Sequence, residues 1–180
     1  MKATGIVRRI DELGRVVIPK EIRRTQRIRQ GDALEIFTAA DGQVVFKKYS
    51  PLAELGRLSG LYADVLSRHL DRPVLVCDRD AVVAATGQDR KQLMGQEISE
   101  EVSKLLAMRT PYTAPEAISR RLPAFEKSTG TVLCAAPIVA HGDIEGGVLL
   151  TGSDQETAPD AETTRAVNIA ASFLGKWMEE

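Results

Sequence analysis

The chain begins with short apolar runs separated by turn-forming residues. Isoleucine and valine are interleaved with arginine in 6–10 and follow Arg15 in 15–18, and Gly14 between these runs can adopt the positive φ of a tight turn. Two further runs, 33–38 and 43–49, surround an Asp-Gly dipeptide, which is a strong signal for a hairpin. The pattern therefore predicts two β-hairpins in succession.

A short helix is predicted between the two hairpins. Proline at position 19 disfavours helix for the residue before it and suits a first helical turn, so the helix should run from Pro19 to Arg27. Lys20, Arg23, Arg24 and Arg27 then fall on one face of this helix. Like charges at these spacings repel by about 0.2–0.5 kcal/mol per pair. An anionic partner would explain why four cations occupy one face.

Basic residues are concentrated in the first hairpin and the helix. Residues 6–27 contain six arginines and Lys20, and residues 1–50 carry a net charge of +5 in a chain whose total is −1. Cations that neutralise phosphates release counterions, and the arginine fork binds phosphate or guanine edges through two hydrogen bonds. The pattern predicts a nucleic-acid-binding surface, with a solvated basic face as the alternative.

The first hairpin lacks the alternation of a strand with one buried face. Apolar residues occupy both faces of its strands, and a unit of about fifty residues buries only about 60% of its unfolded surface. A second copy of the chain is therefore expected to cover the other face, which predicts a dimer through residues 1–50. The residues concerned are Ile6, Val7, Ile10, Val16, Val17 and Ile18.

From residue 50 onward the pattern changes to amphipathic helices and buried strands. Ser50-Pro51 marks the boundary, because serine caps helices and proline suits a first helical turn. Apolar residues recur at three- and four-residue steps over Pro51–His69 and Asp160–Met178, which predicts a helix at each end of a domain spanning 51–180. Strand-like runs lie between the two helices, at 74–77, 81–85, 131–137 and 146–151.

The two long helices are expected to do more than cover their own sheet. Each shows more apolar surface than one face of a small sheet readily covers, and the first leaves a domain predicted to contain two chains. We expect these helices to form a second interface between copies, with Leu58 and Leu174 on it. Two dimers would then associate as a homotetramer.

Composition argues against secretion and membrane insertion. The apolar fraction of 43% is ample for a packed core. No apolar run approaches the roughly twenty residues of a membrane-spanning helix, so no membrane association is expected. The charged amino terminus lacks the apolar core of a secretory signal, which predicts a cytoplasmic protein. A phosphate-binding glycine loop is also absent from the sequence.

Cys77 and Cys134 are the two cysteines of the chain. With His69 or His141 they could form a nucleophile and base or a Cys₂His₂ metal site, but their spacing matches no such motif. Both lie in apolar strand runs, where a free cysteine acts as a small hydrophobe. We therefore expect no enzyme activity, no cofactor and no metal, with a redox enzyme that uses both cysteines as an alternative.

The residues KATGIVRRIDELGRVVIPKEIRR, GDALEIF and VVFKKY together resemble the AbrB-type swapped-hairpin transcription regulators. This resemblance covers about fifty residues and implies an intertwined dimeric β-barrel that binds A·T-rich double-stranded DNA through its shape. It also implies that Arg8, Arg15, Arg23 and Arg24 face the DNA. Lys2 and Arg9 would be their neighbours, and Lys20 and Arg27 extend the set along the predicted helix.

With the junction KKYSPLAELG and the second domain, the whole chain resembles the SpoVT-type sporulation regulators. The resemblance implies an α+β protein, with an AbrB-type DNA-binding domain at 1–50. Residues 51–180 would form a GAF-like α/β sandwich with flanking helices, for sensing and assembly. It also implies a nucleoid-associated regulator that activates some late sporulation genes and represses others.

A GAF-like domain raises the question of a small-molecule ligand. A pocket lined by strand residues would be mostly apolar and would suit an apolar or mixed ligand, although the same residues could fill a closed core. The expected lining is Cys77, Val83, Thr86, Cys134 and Ile138.

Two other classes of protein remain as alternatives. Swapped-hairpin domains also occur in antitoxins, which usually continue into an acidic, unfolded tail that binds the toxin. A GAF-type redox enzyme would depend on the two cysteines.

Overall fold

The computed structural model describes residues 4–116, 121–126, 130–153 and 155–180. The chain divides into two compact units, Met1–Tyr49 and Ser50–Glu180. The first is small and mostly exposed, whereas the second contains a large sheet with helices on both faces.

The predicted first hairpin forms its turn but not its paired strands. Asp11 and Arg15 are joined by a backbone hydrogen bond of 3.0 Å, and Gly14 adopts a φ of 75°. Within the described residues of this single chain, the segments 4–10 and 16–18 form no strand ladder. Strands that are apolar on both faces require a layer on each side, and residues 4–49, the described part of this unit, provide no second layer.

Helix α1 (Lys20–Thr25) is shorter than the predicted helix, which was expected to reach Arg27. Arg27 has a φ of 50°, so it lies outside the helix in the left-handed region. The N–H of Ile28 donates to the carbonyl of Arg23 at 2.7 Å, which is the closing bond of a Schellman C-cap. The prediction that Arg27 shares the basic face of the helix is therefore wrong.

The predicted second hairpin is confirmed. Strands β1 (Leu34–Thr38) and β2 (Val44–Lys48) pair in antiparallel fashion, with Ile36 opposite Phe46. The Asp-Gly signal marked the turn correctly, because Gly42 adopts a φ of 83° that other residues rarely reach.

The second unit starts with two helices where the sequence predicted one. Helix α2 (Pro51–Glu54) is capped by Ser50, whose Oγ accepts from the N–H of Ala53 at 3.2 Å. The chain leaves helical geometry at Leu55 and resumes it in α3 (Gly56–Leu70). A single residue therefore divides the predicted Pro51–His69 helix.

The remaining elements of the second unit include the predicted strand runs and the predicted last helix, with two further helices between the strand pairs. They are β3 (Val74–Asp78), β4 (Val82–Ala85), α4 (Arg90–Leu93), α5 (Glu100–Ala107), β5 (Tyr112–Thr113), β6 (Leu122–Pro123), β7 (Thr131–Ala140), β8 (Asp143–Gly152) and α6 (Ala161–Trp177). The four longer strands coincide with the four predicted runs. This mixture of helices with an antiparallel sheet confirms the α+β class.

One antiparallel sheet forms the centre of the second unit. Its strand order is β4-β3-β8-β7-β5, and β6 also pairs with β7. The long hairpin of β7 and β8 brings Ala136 opposite Val148, and β3 lies on the other side of β8 with Val76 also opposite Val148. The side chains of successive residues point to opposite faces, so the sheet supports a core on each side.

The two cores of the second unit lie on opposite faces of the sheet. Helices α3 and α6 cover one face, where Leu66 and Leu174 pack against strand residues. Helix α5 covers the other, where Val102 and Leu106 pack with Ile98. This arrangement is the predicted α/β sandwich with flanking helices.

The five residues expected to line a ligand pocket do not share one cavity. Cys77 lies in the core under α5, whereas Cys134, Ile138 and Val83 pack on the face covered by α3 and α6. The hydroxyl of Thr86 is bonded to the backbone of Val74, from whose N–H it accepts at 2.8 Å. The predicted pocket lining is therefore wrong, because alternate strand positions face different layers.

Candidate nucleic-acid interface

The structure places the predicted basic residues at the first turn and on α1. Arg8 and Arg9 precede the turn and Arg15 follows it, while α1 carries Lys20, Arg23 and Arg24. All six are exposed, whereas Arg27 is half-buried at the C-cap. Lys2 lies outside the described residues. Two short segments of this unit therefore provide most of the predicted surface.

Arg15 is held at the turn by Asp11. The Nε of Arg15 donates to Oδ2 of Asp11 at 2.8 Å, and its backbone N–H donates to Oδ1 at 2.8 Å. These bonds lower the pKa of Asp11 below its ordinary value. The arginine side chain is still 72% exposed, so it is both oriented and accessible. Asp11 lies outside the predicted arginine set, although its spacing of four from Arg15 was a usable signal.

Helix α1 presents its cations at its exposed last turn. Arg23 and Arg24 lie there, where positive charge also complements the helix dipole. The Nε of Arg23 donates to the carbonyl of Ile18 at 3.2 Å, which ties the side chain to the segment before the helix. For the side chains of Arg9, Lys20 and Arg24, the described residues provide no hydrogen-bond or ion-pair partner.

An open apolar groove of about 780 Å³ lies beside these cations. Residues from the first turn segment, α1 and β2 line it, including Ile6, Val17, Ile22 and Phe46. Pro19 is the only buried residue among the described residues of this unit, and Val7 is 84% exposed. The unit therefore exposes the apolar side chains that a folded domain normally buries.

Both units are similar to known bacterial proteins. The family model described as Stage V sporulation protein T C-terminal, transcription factor, matches residues 54–179. Stage V sporulation protein T of Bacillus subtilis (strain 168) is 47% identical over 180 residues, which is 100% of both chains. The chain belongs to the Stage V sporulation protein T family of transcription factors. The family assignment therefore covers both units of this α+β chain.

The first unit of this family member is of the AbrB type. Transition state regulatory protein AbrB of Bacillus subtilis (strain 168) is 61% identical over 51 residues, which is 28% of this chain and 52% of AbrB. A model of the MazE antitoxin family, described as antidote-toxin recognition, matches residues 7–53. The first unit thus matches both a curated transition state regulator and an antitoxin family model.

The second unit has the GAF fold. The second GAF domain of DevS from Mycobacterium smegmatis superposes with a TM-score of 0.52 at 17% identity, covering 72% of this chain and 94% of that domain. At such identity the likeness concerns the fold alone, and the side chains of the two domains need not do the same work.

The GAF unit of this family member has an exposed apolar face formed by α3 and α6. Tyr62 of α3 stacks on Phe173 of α6 with ring centroids 5.1 Å apart, and Trp177 follows at 5.9 Å from Phe173. Leu61 and Ile169 are each 57% exposed. Leu174, predicted to lie on this surface, is instead fully buried in the core. Leu58, the other position predicted for this interface, is half-buried against the same core.

The two cysteines of the GAF unit are buried in different cores. Burial raises the pKa of Cys77 to about 12 and that of Cys134 to about 12. Since the thiolate is the reactive form, neither thiol is activated for nucleophilic or redox chemistry at neutral pH. Across the described ranges, no group of three or more His, Cys, Asp or Glu side chains is placed to hold a metal.

Among the helices in the described part of the chain, none is long and apolar enough to cross a membrane.

Proposed function

We propose that this member of the Stage V sporulation protein T family regulates late sporulation genes by binding double-stranded DNA with its first unit. It activates some of these genes and represses others. The observation that carries the proposal is the set of exposed arginines at the first turn and on α1, in a unit that is 61% identical to the AbrB regulator over 51 residues. Sequence-independent affinity for DNA comes mainly from such cations.

The arginines are proposed to read DNA shape more than a base code. Arg8, Arg15, Arg23 and Arg24 are the proposed groove and phosphate contacts, with Lys2, Arg9, Lys20 and Arg27 around them. Arginine is favoured in the narrow minor groove of A·T-rich DNA, where the negative potential is enhanced. The hydrogen bond that Arg15 donates to Asp11 supports this role, since an oriented arginine loses less freedom on binding.

The first unit is proposed to act as an interlocked dimer. The open groove beside the arginines and the exposed apolar side chains of residues 4–18 support a second copy as the missing layer. Backbone groups of the same segment, which form no ladder within the described chain, would pair with that copy. Dimerisation would also double the number of arginines that face one DNA site.

The apolar face of α3 and α6 is proposed to join two such dimers. Exposed Leu61, Ile169 and Trp177 border an aromatic stack, and contiguous apolar surface of this kind is typical of an interface. The resulting tetramer would hold two DNA-binding units at a set separation. Assembly, more than a ligand pocket in the sheet, is therefore the proposed work of the GAF unit.

The arginine surface can be tested by alanine substitution and salt titration. Replacing Arg8, Arg15, Arg23 or Arg24 singly should weaken binding to an A·T-rich duplex. Each lost phosphate contact should also flatten the slope of log K against log salt by about 0.9. Arg165→Ala is the matched control, because Arg165 is an exposed arginine of α6 in the other unit.

Affinity and salt slope unchanged in all four variants, with folding intact, would contradict the assignment. An equal loss in the Arg165 control would do so as well, since it would indicate a general effect of net charge.

An antitoxin is the second candidate function, because the MazE model matches residues 7–53. Antitoxins of this type usually continue into an acidic, unfolded tail, whereas this chain continues into the compact unit Ser50–Glu180. The description of the family as a transcription factor also points away from an enzyme. Replacing both cysteines by serine should leave DNA binding intact, as expected for thiols that only pack.

A further inference from the structure

Lys48 and Asp32 form a shielded ion pair in a unit whose surface is otherwise open. The Nζ of Lys48 lies 3.2 Å from Oδ2 of Asp32, and the two side chains are 25% and 6% exposed. Charged side chains are rarely withdrawn from water unless they are paired and hydrogen-bonded. The carboxylate is shielded within a single chain, in which most apolar side chains of this unit are still exposed.

Each partner of the pair also binds the backbone just after α1. The Nζ of Lys48 donates to the carbonyl oxygen of Arg27 at 3.0 Å. Oδ2 of Asp32 accepts from the N–H of Arg29 at 2.8 Å. The ammonium and the carboxylate thus hold two peptide groups on either side of Ile28. Charge-assisted hydrogen bonds of this kind are stronger than neutral ones.

The segment held in this way is the C-cap of α1. Arg27 adopts a φ of 50°, a conformation that glycine usually supplies at this position and that costs energy for an arginine. The N–H of Arg27 donates to Arg24 at 3.3 Å, and that of Ile28 donates to Arg23 at 2.7 Å. Both carbonyls belong to α1 arginines that are among the four proposed to contact DNA. Fixing Arg27 therefore fixes the end of the helix that carries them.

Lys48 also connects the ion pair to the second hairpin. Lys48 is the last residue of β2 and lies opposite Leu34 of β1. The N–H of Tyr49 donates to the carbonyl of Ala33 at 3.0 Å, which extends the pairing beyond the strand. The pair thus connects a regular hairpin to a helix of six residues that has no side-chain bond at its N-cap.

We propose that Lys48 and Asp32 are positioning residues that clamp α1 to the second hairpin, so that Arg23 and Arg24 are held in the geometry that DNA requires. The charge of Lys48 acts inside the protein through the Arg27 carbonyl and the Asp32 carboxylate. This proposal rests on the proposed DNA-binding function and assigns the pair no contact with DNA.

The direction of the change in DNA affinity distinguishes a positioning role of Asp32 from a purely electrostatic one. Asp32→Asn removes a negative charge, so a purely electrostatic effect would strengthen DNA binding. If the clamp positions α1, the same change weakens binding to an A·T-rich duplex by about tenfold, as expected when a charged hydrogen bond is lost. The salt slope should stay unchanged, because no phosphate contact is removed.

Asp41→Asn is the matched control in the full-length chain. Asp41 lies exposed in the turn of the same hairpin, where it accepts from the N–H of Gln43 at 3.3 Å. The control changes net charge by the same amount and should leave affinity unchanged or up to about twofold tighter. Binding of the Asp32→Asn variant as tight as that of the control would overturn the clamp.

A second variant covers the outcome in which Asp32→Asn fails to fold. Asp32→Glu keeps the charge but lengthens the side chain, so it should weaken binding several-fold and accelerate amide exchange at Ile28. Native affinity and exchange in this variant would overturn the proposal.

Unfolding of both variants would overturn it too, because the pair would then be required for folding. If the unmodified chain binds no duplex, the proposed DNA-binding function is wrong. If the unmodified chain binds DNA and the Asp32 variants bind as tightly as Asp41→Asn, only the clamp is wrong.

Discussion

Asp11 shows how one carboxylate can organise a turn and an arginine together. Its two oxygens accept from the backbone N–H groups of Leu13 and Arg15 and from the Nε of Arg15. The same residue therefore closes the turn, with Gly14 at positive φ, and limits the positions open to the Arg15 side chain. A polar residue outside the predicted arginine set thus prepares one of its members for binding.

Titration of Asp11 tests this arrangement. Because the bonds from Arg15 stabilise the charged form, the midpoint of its carboxyl should lie below the ordinary value of about 3.9. A lowered folded-state pKa stabilises the turn above the unfolded pKa, and this contribution is lost as pH falls through the folded pKa. Carbon-detected NMR titration of the side-chain carboxyl would measure it.

Arg15→Ala is the comparison for that titration. It removes the bond from Nε but keeps the bond from the backbone N–H, so the midpoint should return only part of the way to the ordinary value. A midpoint unchanged by this substitution would contradict the side-chain contribution.

At the scale of elements, glycine allows α6 to lie close to the sheet. Gly175 faces β7, and a Cβ there would collide with the carbonyl oxygen of Val139. That oxygen belongs to the backbone and cannot turn aside as a side chain can. The close approach also brings Leu174 and Ala171 of the same helix into the core. A residue that weakens an isolated helix therefore improves the packing of this one.

Gly175→Ala should destabilise the GAF unit by about 2 kcal/mol, since overpacking exceeds the roughly 1 kcal/mol gained in helix propensity. Gly60→Ala in α3 is the control, because nothing lies within 4 Å of a Cβ at that position. It should stabilise the unit by up to about 1 kcal/mol. Urea denaturation midpoints of the two variants should move in opposite directions, and parallel shifts would contradict the packing argument.

At the scale of the whole molecule, each unit exposes apolar surface that a folded chain usually covers. In the first unit these are the apolar residues of 4–18 and of β1 and β2. In the second unit they lie on α3 and α6, beside the stacked rings of Tyr62 and Phe173. Two different surfaces of this kind fit the proposed dimer of dimers, because one closed two-fold interface covers only one of them.

Light scattering of the full chain should report a tetramer. Leu61→Asp combined with Ile169→Asp should convert the tetramer to a dimer, because a buried charge without a partner is costly at an interface. Met108→Asp is the control, since Met108 is also exposed but follows α5 on the opposite side of the sheet. This control should remain a tetramer.

A dimer in the unmodified chain would remove the α3–α6 interface from the proposed function. A folded monomer in the double variant would contradict the interlocked first unit as well.

Much of the fold and of the candidate site could be predicted from the sequence alone. Strand and helix order in 51–180 emerged because buried strands are short apolar runs and amphipathic helices repeat every three or four residues. The hairpin at Asp41-Gly42 and the cap at Ser50 depend on local chemistry, which neighbouring residues determine. The arginine cluster was also visible, since charge density needs no coordinates.

Tertiary structure decided the features that depend on contacts between distant residues. Arg27 left the helix because it sits at a C-cap held by Lys48, which is twenty-one residues away in the sequence. The supposed pocket residues separated onto two faces because Cys77 follows Val76 in β3 and points to the core under α5, whereas Cys134 and Ile138 of β7 point to α3 and α6. Leu174 went into the core because Gly175 lets α6 approach β7 closely. Periodicity indicates that a helix has an apolar side, but only packing decides which residues of that side are left for another chain.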